Sequence, residues 1–537
     1  MRSLVGSPSF RSAPGGSGGP ARPYGPVLLV NPPETSWFTY PSLALLYLGG
    51  ALEAAGYHVE ILDGNAGTDL RHHLARRLNA VQSVRNTGEG RPVVGFTANV
   101  TTWHTVRRLC RFTRRRAPEA LIVVGGPHPT SVPEATLTPD VDVVVLGEGE
   151  ETLVELLSGR PWGEVPGLAY REDGEVKVSE RPPPEDLDRM PLPAWHLVDL
   201  RRYRHPWRRP LGSLVTSRGC PYRCLNCTKA VHGARYRTQS VSRVLQEVEH
   251  LVTRVGVREI HVWDDNFTLQ PERVKEICRG FIGGGWSRRV RFALANGVRG
   301  DIDDVEMFRL LARANFYYVG IAFESGNQEV VRRLGKELDL ARARETVDLA
   351  RRVGLRVGAY FMLGLPFETV GEMEETIRFA CSLPVDHCYF SMSLPLPGTG
   401  LYDIVAREGR FLVDLIHGSG SVSRGTADGY VGAALAPPRG QGAASSAPTS
   451  ARRSENRRGR RPTPGQKVPF FESGKAVFEM PHFRAEEVER MFRRAHRRFY
   501  LRPRQVLRTT AALLRSGDGL GFAFRSLLRL AARGRRL

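Results

Sequence analysis

Three cysteines stand close together near the middle of this sequence, and cysteine thiolates bind metals. Cys220, Cys224 and Cys227 are separated by three and then two residues. That spacing can fold three sulfurs around zinc or an iron–sulfur cluster, both of which usually take four protein ligands. No fourth Cys follows at a comparable spacing. One coordination position would stay open, and an open iron is a place to bind and break a substrate. A zinc knuckle or three structural cysteines are the alternatives.

An alternation of strands and helices positions this loop. The first apolar run leads directly into the cysteines, and five more apolar runs follow, separated by helical patterns. The six predicted strands are Leu211–Thr216, Glu259–Trp263, Arg291–Ala295, Tyr317–Phe323, Arg356–Leu363 and Cys388–Ser393. Six βα units are too few for a complete eight-stranded barrel, so the sequence predicts an open, partial (β/α)6 barrel.

Polar and glycine residues follow these strands, at the barrel end where enzymes of this architecture carry their chemistry. In chain order they are Asp264, Asp265, Asn296, Arg299, Glu324, Ser325 and Gly364. Because parallel strands end at the same edge, we expect these residues to face one mouth together with the cysteine loop.

The cysteine spacing resembles the CxxxCxxC signature of the radical S-adenosylmethionine (SAM) enzymes. In that family three cysteines hold a 4Fe–4S cluster, and the amino and carboxylate groups of SAM chelate the fourth iron. The resemblance therefore implies that Cys220, Cys224 and Cys227 ligate such a cluster.

The same resemblance implies that residues after the strands bind SAM. Asp264 or Asp265 would take its ammonium, and Arg299 would pair with its carboxylate. Glu324 and Ser325 resemble the family's ribose motif, because a carboxylate and a hydroxyl suit a diol.

The adenine of SAM is expected to meet one backbone contact and one aromatic ring, and one further residue belongs to the general SAM-binding set. Gly364 would permit backbone approach to the ring, and Asn296 completes the expected SAM-binding set. The residue before the third cysteine is commonly aromatic in the family, but here it is Asn226. We therefore expect altered adenine packing, with Tyr222 or Phe267 supplying a ring.

The first part of the chain alternates in the same way. Its five short apolar strands predict a Rossmann-like, doubly wound parallel sheet, whose ligands lie beyond the strand ends. The candidate binding residues at those ends are Asn31, Pro32, Thr97, Asn99, Gly125, Gly126, His128, Gly147 and Glu148.

These strand ends resemble the cobalamin-binding domain that precedes the cluster domain in one branch of radical SAM enzymes. The matching pieces are Asn31–Pro33, Gly125–Pro129 and Gly147–Glu150. Many cobalamin proteins place a cobalt-ligating His two residues after an Asp, but here Asp63 is followed at that spacing by Asn65. The resemblance thus implies cobalamin bound without a protein histidine. A plain nucleotide-binding or ligandless Rossmann domain is the alternative.

The order of these two domains implies a cobalamin-dependent radical SAM enzyme. Its most typical reaction would be methylation of an unactivated carbon through a 5′-deoxyadenosyl radical and methylcobalamin. An oxidative cyclase or ring-rearranging enzyme is the alternative within the branch, and a non-catalytic cobalamin- or metal-binding regulator is the alternative of another class. Methylthiolation would call for a second cysteine set in the first domain, where Cys110 stands alone.

The amino-acid composition bears on the cellular compartment and on the kinds of binding partner. The hydrophobic fraction is 41%, and no apolar run approaches the roughly 20 residues of a membrane span. The N-terminus shows no signal-peptide pattern and seven cysteines do not make a disulfide scaffold, so we expect a reducing cytoplasm. The net charge of +21 is spread along the chain, mostly on arginine, so we do not expect nucleic-acid binding.

The expected partners follow from the implied chemistry. They are a small-molecule substrate (a natural-product, tetrapyrrole or lipid-like intermediate) and an electron donor such as flavodoxin or ferredoxin. The basic, amphipathic segment Gly521–Arg533 would suit contact with a membrane surface.

Composition shifts also predict domain boundaries. We expect a disordered N-terminus (1–25), a cobalamin-binding-like Rossmann domain (26–162) and a linker (163–205). The partial barrel (206–410), a flexible low-complexity insertion (411–467) and a C-terminal helical region (468–537) follow.

Overall fold

A computed structural model describes residues 23–34, 39–67, 69–84, 90–203, 210–418, 475–503 and 505–507. The N-terminal domain comes first in the chain and consists of alternating strands and helices. These elements are β1 (Tyr24–Asn31), α1 (Leu43–Ala54), β2 (Val59–Asp63), α2 (Leu70–Val84), β3 (Arg91–Thr97), α3 (Trp103–Arg116), β4 (Leu121–Gly125), α4 (Pro127–Ser131), α5 (Pro133–Thr136), β5 (Val143–Val145), α6 (Glu150–Leu157), β6 (Leu168–Glu172) and β7 (Glu175–Val178).

These strands form one seven-stranded sheet in the order β2-β1-β3-β4-β5-β6-β7. Strands β1 to β5 are parallel, and the hairpin β6–β7 adds two antiparallel strands at the edge. Side chains along β1 alternate between two buried cores, with Leu28 and Val30 on one face and Val27 and Leu29 on the other. Burial on both faces explains why the strands are apolar throughout, and the predicted doubly wound sheet is confirmed.

The second domain repeats the alternation around a second sheet. Its elements are β8 (Leu211–Leu214), β9 (Ser217–Arg218), β10 (Arg237–Thr238), α7 (Val241–His250), β11 (Glu259–Val262), α8 (Pro271–Gly283), β12 (Arg291–Val298), α9 (Val305–Arg313), β13 (Phe316–Glu324), α10 (Gln328–Arg333), α11 (Leu340–Arg352), β14 (Arg356–Leu363), α12 (Val370–Ser382) and β15 (His387–Met392). Six parallel strands lie in the order β15-β14-β13-β12-β11-β8, which confirms the open partial barrel.

The two faces of the barrel strands carry different side chains. On β14, Val357 and Phe361 pack into the core under the outer helices. Between them, Tyr360 points to the inner side, where its hydroxyl donates to the carbonyl of Ala295 (2.8 Å) and lies 3.0 Å from the hydroxyl of Tyr318. The inside of the barrel is therefore aromatic and polar, whereas its outside is apolar.

The chain after β15 wraps the barrel. Helix α13 (Gly400–Glu408) leads into a short ladder of β16 (Arg410–Phe411) with β17 (Phe478–Glu479), and α14 (Ala485–Tyr500) follows. The Tyr500 hydroxyl on α14 donates to the Cys388 carbonyl of β15 (2.6 Å). Most of the predicted insertion and the segment Gly521–Arg533 lie outside the described residues and stay predictions.

Helix α1 joins the two domains. Leu46 on this helix packs in the barrel core with Trp195, and its carbonyl accepts from the Ala194 amide (2.9 Å). The neighbouring Tyr47 reaches α7, where its buried hydroxyl donates to a carboxylate oxygen of Glu247 (3.2 Å). In the described part of the chain, the structure contains no helix with the length and apolar character needed to cross a membrane.

Candidate functional site

One cavity of about 620 Å³ lies between the strand ends of the two sheets, within the size range of ligand pockets. From the N-terminal domain it is lined by the ends of β1, β3, β4 and β5. From the barrel it is lined by the cysteine loop and by the end of β11. Cys220, Cys227, Trp263 and Asp265 form part of this second wall. The predicted mouth of the barrel thus opens directly onto the predicted cofactor edge of the Rossmann domain.

The segment just before the first cysteine of the loop is held by the two consecutive aspartates after β11. Asp264 is buried and accepts hydrogen bonds from the Thr216 amide (2.6 Å), the Thr216 hydroxyl (2.6 Å) and the Ser217 hydroxyl (2.5 Å). Asp265 accepts from the Gly219 amide (2.8 Å). Because Asp264 uses both oxygens inside the protein, it does not face the cavity, and the expectation that either aspartate could take the SAM ammonium narrows to Asp265.

Asp265 is the carboxylate that the cavity presents beside the cysteines. Its Oδ2 atom also contacts His232 Nδ1 at 3.0 Å. Burial raises the pKa of Asp265, but hydrogen bonds from His232 and the Gly219 amide outweigh it, so the pKa of Asp265 lies below its usual range. An ionised Asp265 suits the ammonium of SAM electrostatically.

The three thiols are free and differ in exposure. Burial raises the pKa of Cys224, and burial followed by the neighbouring thiols raises the pKa of Cys227 to about 11. The charges of Lys336 and Arg299 act in the opposite direction on Cys224. A ligand that stabilises thiolates, such as iron, would offset the effect of burial on these thiols, so this donor set fits an iron–sulfur cluster.

Two further features bear on that fit. Lys229 points its ammonium back at the loop, donating to the carbonyls of Cys220 (2.6 Å) and Tyr222. This contact curls the loop around the thiols and adds a positive charge beside them. Across the described residues, no three His, Cys, Asp or Glu side chains are gathered closely enough to hold a single metal ion.

Arg299 lies beside the loop but is already paired. It donates to the Asp301 carboxylate (2.6 Å) and to the carbonyl of Glu337, and its guanidinium stacks 3.8 Å from the centre of the Tyr222 ring. The predicted pairing with the SAM carboxylate would have to compete with Asp301. The structure instead gives Arg299 and Tyr222 a direct role in supporting the loop between the first two cysteines.

The predicted ribose motif is divided between two environments. Glu324 has a left-handed backbone (φ 69°) and pairs with Lys336 at 3.0 Å, close enough to Cys224 to affect its pKa. Such strain in a non-glycine residue is typical of functional sites. Ser325 is fully buried and bonds Thr376 at 2.9 Å, so the structure does not support its predicted contact with a diol.

Gly364 is needed for packing rather than for an open approach. Its φ is +74°, and a Cβ atom built there would lie 2.6 Å from Val488 of α14. The predicted space for adenine at this position is therefore taken by the C-terminal helix. Asn296, also predicted to bind SAM, is exposed and donates to the Asp264 carbonyl (3.0 Å), so it lies beside the loop anchor.

Asn226, which stands where the family commonly has an aromatic residue, has an unusual environment. The Asn226 amide nitrogen lies 3.9 Å from the sulfur of Met362. Its side-chain oxygen is buried and has no hydrogen-bond partner. Phe267 is buried in the barrel core, so it does not supply the aromatic ring predicted for adenine. A buried unpaired acceptor beside the thiols suits a ligand that brings its own donor, as the adenine amino group does.

The cobalamin side of the cavity is lined by six of the nine predicted residues. These are Asn31, Thr97, Gly125, Gly126, Gly147 and Glu148. A Cβ atom on Gly126 would lie 2.8 Å from the carbonyl of Ala98, so only glycine keeps this wall close and open. A flat backbone wall at the strand ends fits the close approach of a large planar cofactor.

The loop where other cobalamin proteins carry histidine is rigid here. Asp63 accepts from the Asn31 side chain (2.8 Å), the Asn65 amide (2.9 Å) and the Tyr203 hydroxyl (2.8 Å). The Asn65 side-chain oxygen accepts in turn from the Glu34 amide (2.8 Å). The cavity therefore meets an amide in place of an imidazole, which agrees with cobalamin held without a protein histidine.

Three predicted cobalamin contacts do not line the cavity. Pro32 is buried next to Asn31 but does not line the cavity, and the Asn99 side chain accepts from the amides of Thr101 and Thr102 at the start of α3. His128 is buried, and its Nε2 atom lies 3.1 Å from the Ile416 carbonyl. Burial lowers the pKa of His128 to about 4, so it is neutral. Its role is to hold the chain after β16 against the N-terminal domain.

Several cavity residues escaped the sequence analysis. Tyr40, Glu34 and His232 line the wall, and Arg218 is buried beside it. Tyr40 packs edge-on against Trp263, with ring centres 5.2 Å apart. Arg218 stands two residues before the first cysteine, and this position in the motif could have marked it as a candidate. Its ion-pair partners, however, lie in the other domain.

Comparison with known proteins agrees with this geometry. Residues 214–380 match the family model of the radical SAM superfamily, and residues 34–157 match that of the B12 binding domain. An uncharacterized methyltransferase of Pyrococcus horikoshii is 30% identical over 396 residues, covering 70% of this chain and 82% of that protein. The cytidylyl-2-hydroxyethylphosphonate methyltransferase of Streptomyces wedmorensis is 32% identical over 473 residues, covering 76% of this chain and 87% of that protein.

A solved structure shares the fold. It is TsrM from Kitasatospora setae, a radical S-adenosylmethionine methyltransferase determined with cobalamin and a [4Fe-4S] cluster bound. The TM-score is 0.59 at 24% identity, covering 72% of this chain and 75% of that one. The likeness extends over both domains in the same order.

Proposed function

Because this chain belongs to the radical SAM superfamily and carries a B12-binding domain, we propose that it methylates a carbon atom of a small molecule. It is an enzyme whose cofactors are a 4Fe–4S cluster, SAM and cobalamin. The methyltransferase relatives favour methyl transfer over the oxidative cyclisation that the sequence left as an alternative.

The observation that carries this proposal is the shared cavity. A single space of about 620 Å³ reaches from Gly126 and Gly147 at the end of the Rossmann sheet to Cys220 and Cys227 in the barrel. A methyl donor and a radical initiator can act on one substrate only if both face a common space. The two sheets meet with their strand ends opposed and supply such a space.

The residues divide the work between the two walls. When bound, the cluster with SAM supplies the radical initiator, and cobalamin supplies the methyl group. Cys220, Cys224 and Cys227 would hold the cluster, and Asp265 would orient the SAM ammonium. Asn226 would accept from the adenine with its unpaired oxygen.

The second wall supports methyl transfer in particular. Asn65 occupies the place of a ligating histidine and is fixed by Asp63 and by the Glu34 amide. The residues of this wall would therefore hold cobalamin without a protein histidine at this loop, as the resemblance to the methylase branch implies.

The substrate would lie towards the inner face of the barrel. Trp263 and Tyr40 border the cavity, and deeper along the inner face Tyr360 stands 6.2 Å from Tyr389, ring centre to centre. Tyr389 is 67% exposed, which is unusual for a large aromatic side chain on a barrel strand. These rings suit a small molecule with a flat or apolar portion, such as a natural-product, tetrapyrrole or lipid-like intermediate.

An external one-electron donor completes the proposal. Cys227 is exposed at the loop surface, and the chain carries a net charge of +21. An acidic donor of the flavodoxin or ferredoxin kind would be attracted to such a protein.

Anaerobic reconstitution tests the proposed function. The protein with iron, sulfide, cobalamin, SAM and a strong reductant should form 5′-deoxyadenosine, and a variant with Cys220, Cys224 and Cys227 all changed to Ala should form none. Absence of 5′-deoxyadenosine in the wild-type protein, with or without cobalamin, would refute radical SAM activity. Once a substrate is in hand, a product that gains no methyl group would favour the cyclase.

A further inference from the structure

A buried ion network joins the two domains at the wall of the cavity. Its members are Glu148 and Glu150 from the N-terminal domain and Arg218 and Arg237 from the barrel. Arg218 donates to Glu148 (2.5 Å) and to Glu150 (2.8 Å), and Arg237 donates to the other oxygen of Glu148. The four side chains are each at most 9% exposed. We call these four residues the interdomain ion network.

The local strand pairing forces this arrangement. Arg218 on β9 lies directly opposite Arg237 on β10 in an antiparallel pair. Like charges in that position repel each other, and both guanidinium groups are buried. Glu148 places one carboxylate oxygen on each arginine, and it comes from the other domain. The barrel's two arginines therefore depend on a residue of the cobalamin-binding domain for their neutralisation.

The interdomain ion network also lies next to the loop after β5 and next to the cysteine loop. Glu148 follows Gly147, whose backbone lines the cavity at the end of β5. Arg218 precedes Gly219, and Cys220 comes next, while the Gly219 amide is fixed on Asp265. A path of four consecutive contacts or bonds thus runs from Gly147 in the cobalamin wall to Cys220, the first cysteine of the loop. Either loop could move alone only by leaving a buried charge unpaired, which is strongly unfavourable.

From this geometry we propose that the interdomain ion network couples the two loops, so that cobalamin held at Gly147 fixes the position of the cysteine loop. This inference rests on the proposed function, because it assumes that cobalamin occupies the N-terminal wall. Glu148 and Arg218 are positioning residues, since they act through the neighbouring loops. The consequence is that cobalamin and the cluster keep one relative position during the reaction.

Hydrogen–deuterium exchange of the full-length protein tests the coupling without a substrate. The protein is reconstituted anaerobically with its cluster and compared with and without hydroxocobalamin. In the wild type, cobalamin should slow amide exchange in the segment 217–227 by about fivefold or more, the lower end of typical coupling between two sites. The Glu148→Gln variant should lose this slowing even in samples whose visible absorbance shows that cobalamin is bound.

Glu151→Gln is the matched control, because Glu151 is the adjacent acid on α6 and its side chain is 50% exposed in a surface pair with Arg181. It should behave like the wild type. Should Glu148→Gln fail to fold, Glu150→Gln leaves Arg218 paired with Glu148 and should give a smaller loss of slowing.

Cobalamin retention, read from its visible absorbance in the same samples, separates the two proposals. Wild-type protein that retains no cobalamin would overturn the proposed function and this inference with it. Wild-type protein that retains cobalamin without slowed exchange in 217–227 would overturn the coupling alone. Equal slowing in wild type and Glu148→Gln would also overturn it.

Discussion

Gly364 offers a sharp test of what the C-terminal helix does. The sequence predicts that this glycine admits the adenine of SAM, whereas in the structure Val488 of α14 fills the space beside it. The Gly364→Ala variant adds one methyl group at this point. A Cβ atom there would lie 2.6 and 2.9 Å from the two methyl groups of Val488.

The cost of that methyl group can be estimated in two parts. Overpacking a close-packed site costs about 1–3 kcal/mol. The backbone has a φ of +74°, and a non-glycine residue in this left-handed conformation costs about 1–2 kcal/mol more. We therefore expect Gly364→Ala to lower the free energy of unfolding by about 2–5 kcal/mol, a large part of the stability of an ordinary protein.

A double-mutant cycle in urea denaturation separates the two parts. Val488→Ala removes the atoms that clash, so Gly364→Ala should cost about 1–3 kcal/mol less in the Val488→Ala background than in the wild type. The left-handed backbone cost should remain in both. A Gly364→Ala variant of unchanged stability with weakened SAM binding would refute the packing role and restore the prediction from sequence.

Two further outcomes follow from buried carboxylates. Burial raises the pKa of Glu368 to about 8, so the contribution of this side chain to stability is full below about pH 4.5 and is lost as the pH rises through 8. Relative to the Glu368→Gln variant, the free energy of unfolding of the wild type, measured in urea, should fall by at most about 1.4 kcal/mol per pH unit between pH 6 and 8. Parallel pH profiles of the two proteins would contradict this. The Asp264→Ala variant removes the carboxylate that accepts three hydrogen bonds at the base of the cysteine loop. The free energy of unfolding should fall by about 1–3 kcal/mol, and the iron content after reconstitution should fall with it. A full iron content would show that the loop does not need this anchor.

The fold could be predicted from sequence because its strands are apolar throughout and its helices begin and end at strong signals. Helix α12, for example, starts with a capping box of Thr369 and Glu372. The order of strand ends around the cysteines followed from the same alternation, since parallel strands end at one edge.

Side-chain direction could not be predicted in the same way. Asp264 and Asp265 are neighbours after one strand, yet one is buried under the loop and the other faces the cavity. Ser325 turns towards Thr376, and Gly364 meets a helix that lies more than a hundred residues later in the chain. Such contacts depend on elements far away in sequence, and a local motif carries no information about them.

The pairing of Glu148 with two arginines is the clearest example. The segment Gly147–Glu150 was expected to contact cobalamin, and Gly147 does line the cavity. Glu148 also lines it, but its carboxylate neutralises Arg218 and Arg237 across the domain boundary. This role becomes visible only when both domains are seen together.

The most direct measurement of methyl transfer uses SAM with a deuterated methyl group. The wild-type protein, reconstituted anaerobically with its cluster and cobalamin and supplied with a reductant, is incubated with this SAM, and the cobalamin is extracted in dim light for mass spectrometry. We predict that the extracted methylcobalamin carries the deuterated methyl group, well above a control without protein. Accumulation of 5′-deoxyadenosine while the cobalamin stays unlabelled would contradict the conclusion that the shared cavity serves methyl transfer.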